Sequence, residues 1–141
     1  MSADAFIDTN VFIYQLEALD ERKSAIAEQI IRDGIANGTA CISFQVIQET
    51  LNVVLRKAAV PLDPEAARSY LESVLAPLFR VPATMDLYHR ALDVHGRYRY
   101  SFYDSLIVAA ALLAGCKRLY SEDLQHGQQI EGLTIQNPFT T

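Results

Sequence analysis

Apolar residues in this chain fall into two kinds of run. Some are short and continuous: Ala5-Phe6-Ile7 ending on Asp8, Ala40 to Ser43, Leu78 to Val81, Leu119-Tyr120-Ser121, and Leu133-Thr134-Ile135. Runs of that length, bounded by polar or turn residues, predict buried strands. Others recur at helical spacing. Between Arg22 and Ile35, the residues Ala25, Ile26, Ile30 and Ile31 share one side, and Gly38 marks a stop beyond them. A helix from about Phe44 to Ala59 carries an apolar stripe of Phe44, Ile47, Leu51, Val54, Leu55 and Ala58. Asp63-Pro64-Glu65 opens another helix with a cap, a proline and an acid in its first turn. Thr84 caps a helix running to about His95, and Ser101 caps the next, which Gly115 terminates. That last helix is apolar on nearly every side, which predicts a place at the centre of the domain.

Short strands alternating with helices predict an α/β domain: a central parallel sheet of about five strands sandwiched by helices. No repeat, linker or low-complexity tract breaks the 141 residues, so one domain over residues 1–141 is expected. With 50% apolar and 21% charged residues, disordered and collagen-like chains are excluded. The longest apolar run, Leu106 to Ala114, has nine residues, against the roughly 20 that cross a bilayer. No basic segment precedes an apolar one at the N-terminus, so no secretory signal and a cytoplasmic location are expected. Cys41 and Cys116 lack metal-ligand spacing and read as buried free thiols in a reducing compartment. Twelve basic residues against seventeen acidic give a net charge of −5. Bulk charge therefore does not attract nucleic acid; a local basic patch or a bound metal would have to.

Sheets of this kind place ligands at the carboxyl ends of their strands, beside a switch in strand order. Four carboxylates have positions to match, and each has an ordinary alternative. Asp8-Thr9-Asn10 ends the first strand and opens a short helical segment, Val11 to Gln15. Any of the three could simply cap that segment, although one cap needs only one residue. Glu49 points away from the apolar stripe of its helix, yet Val46 and Val53 flank it. A carboxylate between valines is costly to ionise unless donors or a cation meet it; a solvated side chain or an ion pair with Arg56 is the alternative. Ser101-Phe102-Tyr103-Asp104 matches a capping box, but it stands at the end of the buried helix. Ser121-Glu122-Asp123 follows a strand and could be a plain turn with Ser121 or Asp123 as cap. His89, His95 and His126 show no zinc-like spacing. Arg97-Tyr98-Arg99-Tyr100 interleaves charge with aromatics, as a nucleic-acid contact or a solvated helix end would.

Four acids at one end of a sheet require a cation, because like charges raise one another's pKa and destabilise the fold. Hard oxygen donors favour Mg²⁺ or Mn²⁺. Two such ions would offset the four carboxylates and create a positive focus for a phosphate.

The ordered set Phe-Ile-Asp8-Thr9-Asn10, Glu49 in the third helix, Asp104-Ser-Leu-Ile-Val-Ala-Ala-Ala and Ser121-Glu122-Asp123 closely resembles the PIN-domain ribonucleases. The length, and the ending Leu-Tyr-Ser-Glu-Asp-Leu-Gln-His-Gly-Gln … Gly-Leu-Thr-Ile-Gln-Asn-Pro-Phe, are similar to the VapC-type toxins of bacterial toxin–antitoxin pairs. The resemblance implies a Mg²⁺- or Mn²⁺-dependent endoribonuclease, usually a homodimer, held inactive by a cognate antitoxin. It carries the catalytic and metal-holding roles to Asp8, Glu49, Asp104 and Asp123, and supporting roles to Asn10 and Ser121, where the family more often has threonine. It implies RNA products with a 5′-phosphate and a 3′-hydroxyl. Arg97 and Arg99 align with no family motif, and an RNA contact there is a separate expectation.

One enzymatic alternative and two non-enzymatic ones compete. A phosphatase of the haloacid-dehalogenase type needs a second aspartate two residues after Asp8, and Asn10 stands there. A receiver-type regulatory domain needs a lysine after a late strand, whereas Lys117 precedes one. A PIN-like module that only binds partners would show the loss of an acid, and all four are present.

Overall fold

Ala5-Phe6-Ile7 has no polar side chain on either face, so it is stable only where helices cover both sides. In the computed structural model, which describes residues 3–56 and 61–140, it is the strand β1 (Ala5–Ile7) in mid-sheet. The chain continues through α1 (Thr9–Leu16), α2 (Glu21–Asn37), β2 (Ala40–Ser43) and α3 (Phe44–Arg56). Next come α4 (Pro64–Tyr70), a π-helical turn (Leu71–Leu75), α5 (Ala76–Leu78), β3 (Phe79–Val81), α6 (Met85–Tyr98) and α7 (Phe102–Leu113). Strands β4 (Arg118–Tyr120), β5 (Gln129–Ile130) and β6 (Leu133–Gln136) complete it. The sheet order is β3-β2-β1-β4-β6-β5, with β5 alone antiparallel. Helices flank the sheet, as the alternating pattern predicts.

The sheet has six strands rather than about five. The additional one, β5, is two residues long and too short to display a period. It pairs with β6 through a turn in which Glu131 (φ 49°) and Gly132 (φ 90°) are both left-handed. Two successive positive φ values match the twist of a two-residue hairpin.

The predicted helix boundaries largely hold. Asp20, Asp63, Thr84 and Ser101 each accept a backbone N–H as N-caps, and Gly38 closes α2 at φ 66°. Helix α6 runs on to Tyr98, with Arg99 rather than a glycine in the left-handed position (φ 64°). The reading of α3 needs correction. Its buried residues are Gln45, Val46, Thr50 and Val54, whereas Ile47 and Leu51 are half-buried and Leu55 is 41% exposed. The predicted stripe follows hydrophobicity alone, and it misses a buried face that includes two polar residues. Residues 57–60, where this helix was expected to end, lie outside the described residues.

The core is formed by Phe6, Ile7, Ile42, Leu119 and Ile135 from the sheet, packed under α7. Helix α7 buries every residue from Ser105 to Ala111, and its run of alanines lets neighbouring elements approach closely. Helix α2 also lies tight on β2. A Cβ at Gly34 would stand 2.6 Å from Ala40 Cβ, so only glycine fits there. Cys41 and Cys116 are buried and free, with their sulfurs 3.6 Å apart.

Candidate active site

Strand β1 has β2 on one side and β4 on the other, so the strand order switches direction there. Crevices open at such points, at the carboxyl ends of the strands. Ile7 pairs with Tyr120, which sets the following residues, Asp8 and Ser121, side by side. The Asp8 amide donates to the Tyr120 carbonyl at 2.9 Å, and the Ser121 hydroxyl donates to Asp8 Oδ2 at 2.9 Å. Asp8 Oδ1 accepts the Thr9 amide at 2.7 Å and so caps α1. The cap reading of Asp8 is therefore correct, and capping leaves its carboxylate at the carboxyl end of β1.

Asp8 is only 8% exposed. Burial pushes its carboxyl up to about 6, the charges of Glu49 and Asp123 push the same way, and the bonds from Thr9 and Ser121 oppose them. Glu49 is half-buried. Its Oε1 accepts the Thr9 hydroxyl at 2.7 Å and its Oε2 the Gln45 amide at 3.3 Å, so its partners are these and not Arg56. Asp123 is exposed and accepts from Asn10 Nδ2 at 3.0 Å. Asp104 is half-buried in the first turn of α7, its amide held by Ser101 Oγ at 3.1 Å. Asp8, Glu49 and Asp123 thus share one electrostatic neighbourhood. No bond to the other acids is found for the Asp104 carboxylate among the described residues; Gln45 Nε2, which donates to Glu49, also donates to the carbonyl of the preceding residue, Tyr103, at 3.1 Å.

A family model described as the PIN domain matches residues 5–128. The chain belongs to the PIN domain family. Among solved structures, this PIN domain is similar to a toxin–antitoxin complex from Klebsiella pneumoniae (18% identity, TM-score 0.66, 97% of this chain and 99% of that one). It is similar to the Mycobacterium tuberculosis VapC20 toxin, named as cleaving the sarcin–ricin loop (22% identity, TM-score 0.61, 84% and 89%). A third is FitAcB from Neisseria gonorrhoeae (19% identity, TM-score 0.64, 97% and 99%). Against curated protein sequences nothing matches.

Sequence reasoning treats Thr9 only as a possible cap and passes over Gln45. In this PIN domain the two residues hold Glu49 from both sides. Gln45 is 4% exposed, and among the described residues its Oε1, like the buried Ser43 Oγ and Thr50 Oγ1, has no partner. The detectable signal is position: Gln45 is one helical turn before Glu49. Arg97 is not brought to the acids. It lines a separate cleft of about 410 Å³ with Arg90, Asp93, Val94, Tyr98 and Glu131. His95 Nδ1 bonds the Tyr100 carbonyl at 2.6 Å and His126 Nδ1 accepts the Asn137 amide at 2.9 Å, so neither ring faces the acids.

The donor chemistry fits a hard divalent cation. Every donor found on Asp8, Glu49 and Asp123 is uncharged: a backbone amide, two hydroxyls and two carboxamides. These groups orient the oxygens without neutralising them, and a buried carboxylate pushed up to about 6 is stabilised in its ionised form by a cation. Among the described residues, no three acid, histidine or cysteine side chains form a set able to hold a metal by themselves.

Proposed function

We propose that this PIN domain is a VapC-type toxin: a Mg²⁺- or Mn²⁺-dependent endoribonuclease that a cognate antitoxin holds inactive. The observation that carries the reading is the convergence of Asp8, Glu49 and Asp123 beside the β1–β4 switch point, on uncharged donors, with Asp8 buried and pushed up. The similar solved structures, named as toxins or toxin–antitoxin complexes, support an antitoxin partner. We read the chain as one domain over 1–141, working in the cytoplasm as a homodimer; among the described residues no helix is long and apolar enough to cross a membrane.

Asp8, Asp104 and Asp123 would hold the cation, with Glu49 completing the set or orienting the attacking water. A bound divalent ion supplies Lewis acidity toward water and the scissile phosphate. The protein's own groups do the positioning. Ser121 and the Thr9 amide fix both oxygens of Asp8, Thr9 Oγ1 and Gln45 fix Glu49, and Asn10 fixes Asp123. Hydrolysis adds the water oxygen to phosphorus and breaks the P–O3′ bond, leaving a 5′-phosphate and a 3′-hydroxyl. The substrate class is single-stranded or loop RNA, with Arg97 and Arg99 as phosphate contacts.

The test is cleavage of a mixed RNA pool with Mg²⁺ or Mn²⁺, against EDTA, with Asp104→Asn as control. Metal-dependent cutting lost in the variant is expected. Cutting that survives EDTA, or an Asp104→Asn protein as active as its parent, would overturn the assignment.

A further inference from the structure

Glu122 is the one acid of the Ser121-Glu122-Asp123 loop that faces away from the site. Both its oxygens are engaged: Oε1 accepts the Tyr14 hydroxyl at 2.6 Å and Oε2 meets Lys23 Nζ at 2.7 Å. Lys23 Nζ also donates to Tyr14 Oη at 3.2 Å, closing a three-membered cluster. The lysine lies 4.7 Å from the Tyr14 ring centroid and 5.7 Å from that of Phe139. Tyr14 packs edge-on to Phe139 at 4.9 Å, and Arg22 Nη2 holds the Phe139 carbonyl at 2.6 Å. Lys23 and Glu122 are 27% and 23% exposed, so water screens this pair only in part.

We propose that Lys23, Tyr14 and Glu122 form a clamp whose role is to position Asp123. Asn10 and Tyr14 are one turn apart on α1, so their side chains leave the same face of the helix. They grip adjacent residues of the loop: Asn10 takes Asp123, Tyr14 takes Glu122. Residues 122–124 form a bend rather than a strand, so pinning Glu122 to Tyr14 and Lys23 fixes the backbone from which Asp123 leaves, holding it beside Asn10 and near Asp8, whose carboxyl feels its charge. Without the clamp, Asp123 would keep one exposed hydrogen bond, from Asn10. The same contacts exclude Glu122 as a fifth cation-holding acid, because its oxygens are already bonded. Lys23, Tyr14 and Glu122 are positioning residues, and they span 108 positions of sequence to act on one loop.

The clamp rests on the reading of Asp123 as part of the cation-holding set, but its structural half needs no metal. In the full chain in EDTA, exchange of the Asn10 side-chain amide, followed by NMR, reports the Asn10–Asp123 bond. Glu122→Ala and Tyr14→Phe are expected to speed that exchange several-fold while backbone amides of α1 and α2 keep their protection. Tyr14→Phe retains the ring against Phe139 and so guards against simple misfolding; Lys23→Arg, which keeps charge and donors, is expected to behave as the parent. Calorimetric titration with Mn²⁺ alone is the second readout. Glu122→Ala is expected to weaken binding roughly tenfold, and to have no further effect in an Asp123→Asn background. An Asn10 amide unchanged by both variants would overturn the clamp. So would an equal loss of Mn²⁺ affinity in the Asp123→Asn background, since Glu122 would then act independently. A parent chain that binds no Mn²⁺ would instead sink the cation reading, and the exchange result would still decide the clamp.

Discussion

Asp8 costs the metal-free protein stability. Its folded pKa, about 6, lies above the 3.8 of an unperturbed aspartate, so the folded chain holds this proton more tightly than the unfolded one. The penalty is absent below about pH 4, grows as pH rises through 6, and is then constant. At 1.36 kcal/mol per unit, it amounts to about 3 kcal/mol at neutral pH. Asp8→Asn keeps an oxygen for the Thr9 amide and removes the charge. Thermal unfolding in EDTA is expected to show the variant more stable than the parent at pH 7.5, with the difference vanishing near pH 4, while metal-dependent cleavage is lost. A variant no more stable at pH 7.5 would mean that solvent or relaxation already accommodates the Asp8 charge. Thr9→Val addresses Glu49 in the same way. Thr9 is 8% exposed and its hydroxyl bonds only one oxygen of Glu49, so the swap preserves shape and frees the carboxylate. A loss of about 1–3 kcal/mol of orientation, read as a fall in kcat of roughly tenfold or more with unfolding little changed, is expected. An unchanged kcat would remove Thr9 from the machinery.

At the scale of elements, what was legible followed from continuous patterns. β1 and β2 are short buried runs, β6 alternates buried Leu133 and Ile135 with half-buried Thr134 and Gln136, and the caps at Asp63, Thr84 and Ser101 announce their helices. The positions of Asp8 and Asp123 were legible because both follow strands, and strand ends are where α/β sheets bind. Three features were not. β5 has two residues and needs its partner to exist. The buried face of α3 includes Gln45 and Thr50, which a hydrophobic stripe cannot find. The Lys23–Tyr14–Glu122 cluster depends on a loop and two helices meeting across the sequence, and no local period reports that. Close packing of α2 on β2 has a direct test. Gly34→Ala would place its methyl 2.6 Å from Ala40 Cβ, and neither atom sits on a flexible side chain that could swing away. The separation of α2 and β2 must widen, at about 1–3 kcal/mol, although alanine is the better helix former. Denaturant unfolding is expected to show that loss, and Gly34→Ala/Ala40→Gly to recover much of it. A single variant as stable as the parent would mean that α2 is free to shift.

The whole molecule carries a net charge of −5, and its proposed substrate is a polyanion. Long-range attraction cannot bring the two together, so RNA affinity must come from local cationic side chains such as Arg97 and Arg99, outside the acid cluster, and from the cation held at the acids. Arg97 shares its cleft with Asp93 and Glu131, and Arg90 is already 3.5 Å from Glu131. Arg99 stands exposed at the left-handed end of α6, just ahead of the helix that carries Asp104. Each phosphate contact to a single strand contributes about −0.7 to the slope of log affinity against log salt. A chain with two such arginines should therefore show a shallow slope, far from that of a basic nucleic-acid-binding protein. Arg97→Ala/Arg99→Ala is expected to raise KM several-fold, flatten the salt slope by about 1.4, and leave kcat and unfolding unchanged, because neither side chain touches the acids. Single variants would divide the effect. Arg97, partly compensated by its acidic neighbours, should contribute less than Arg99. If the double variant keeps the parental KM and slope, substrate is held by the acid-bound cation and uncharged groups alone, and the Arg97–Tyr100 stretch is a solvated helix end.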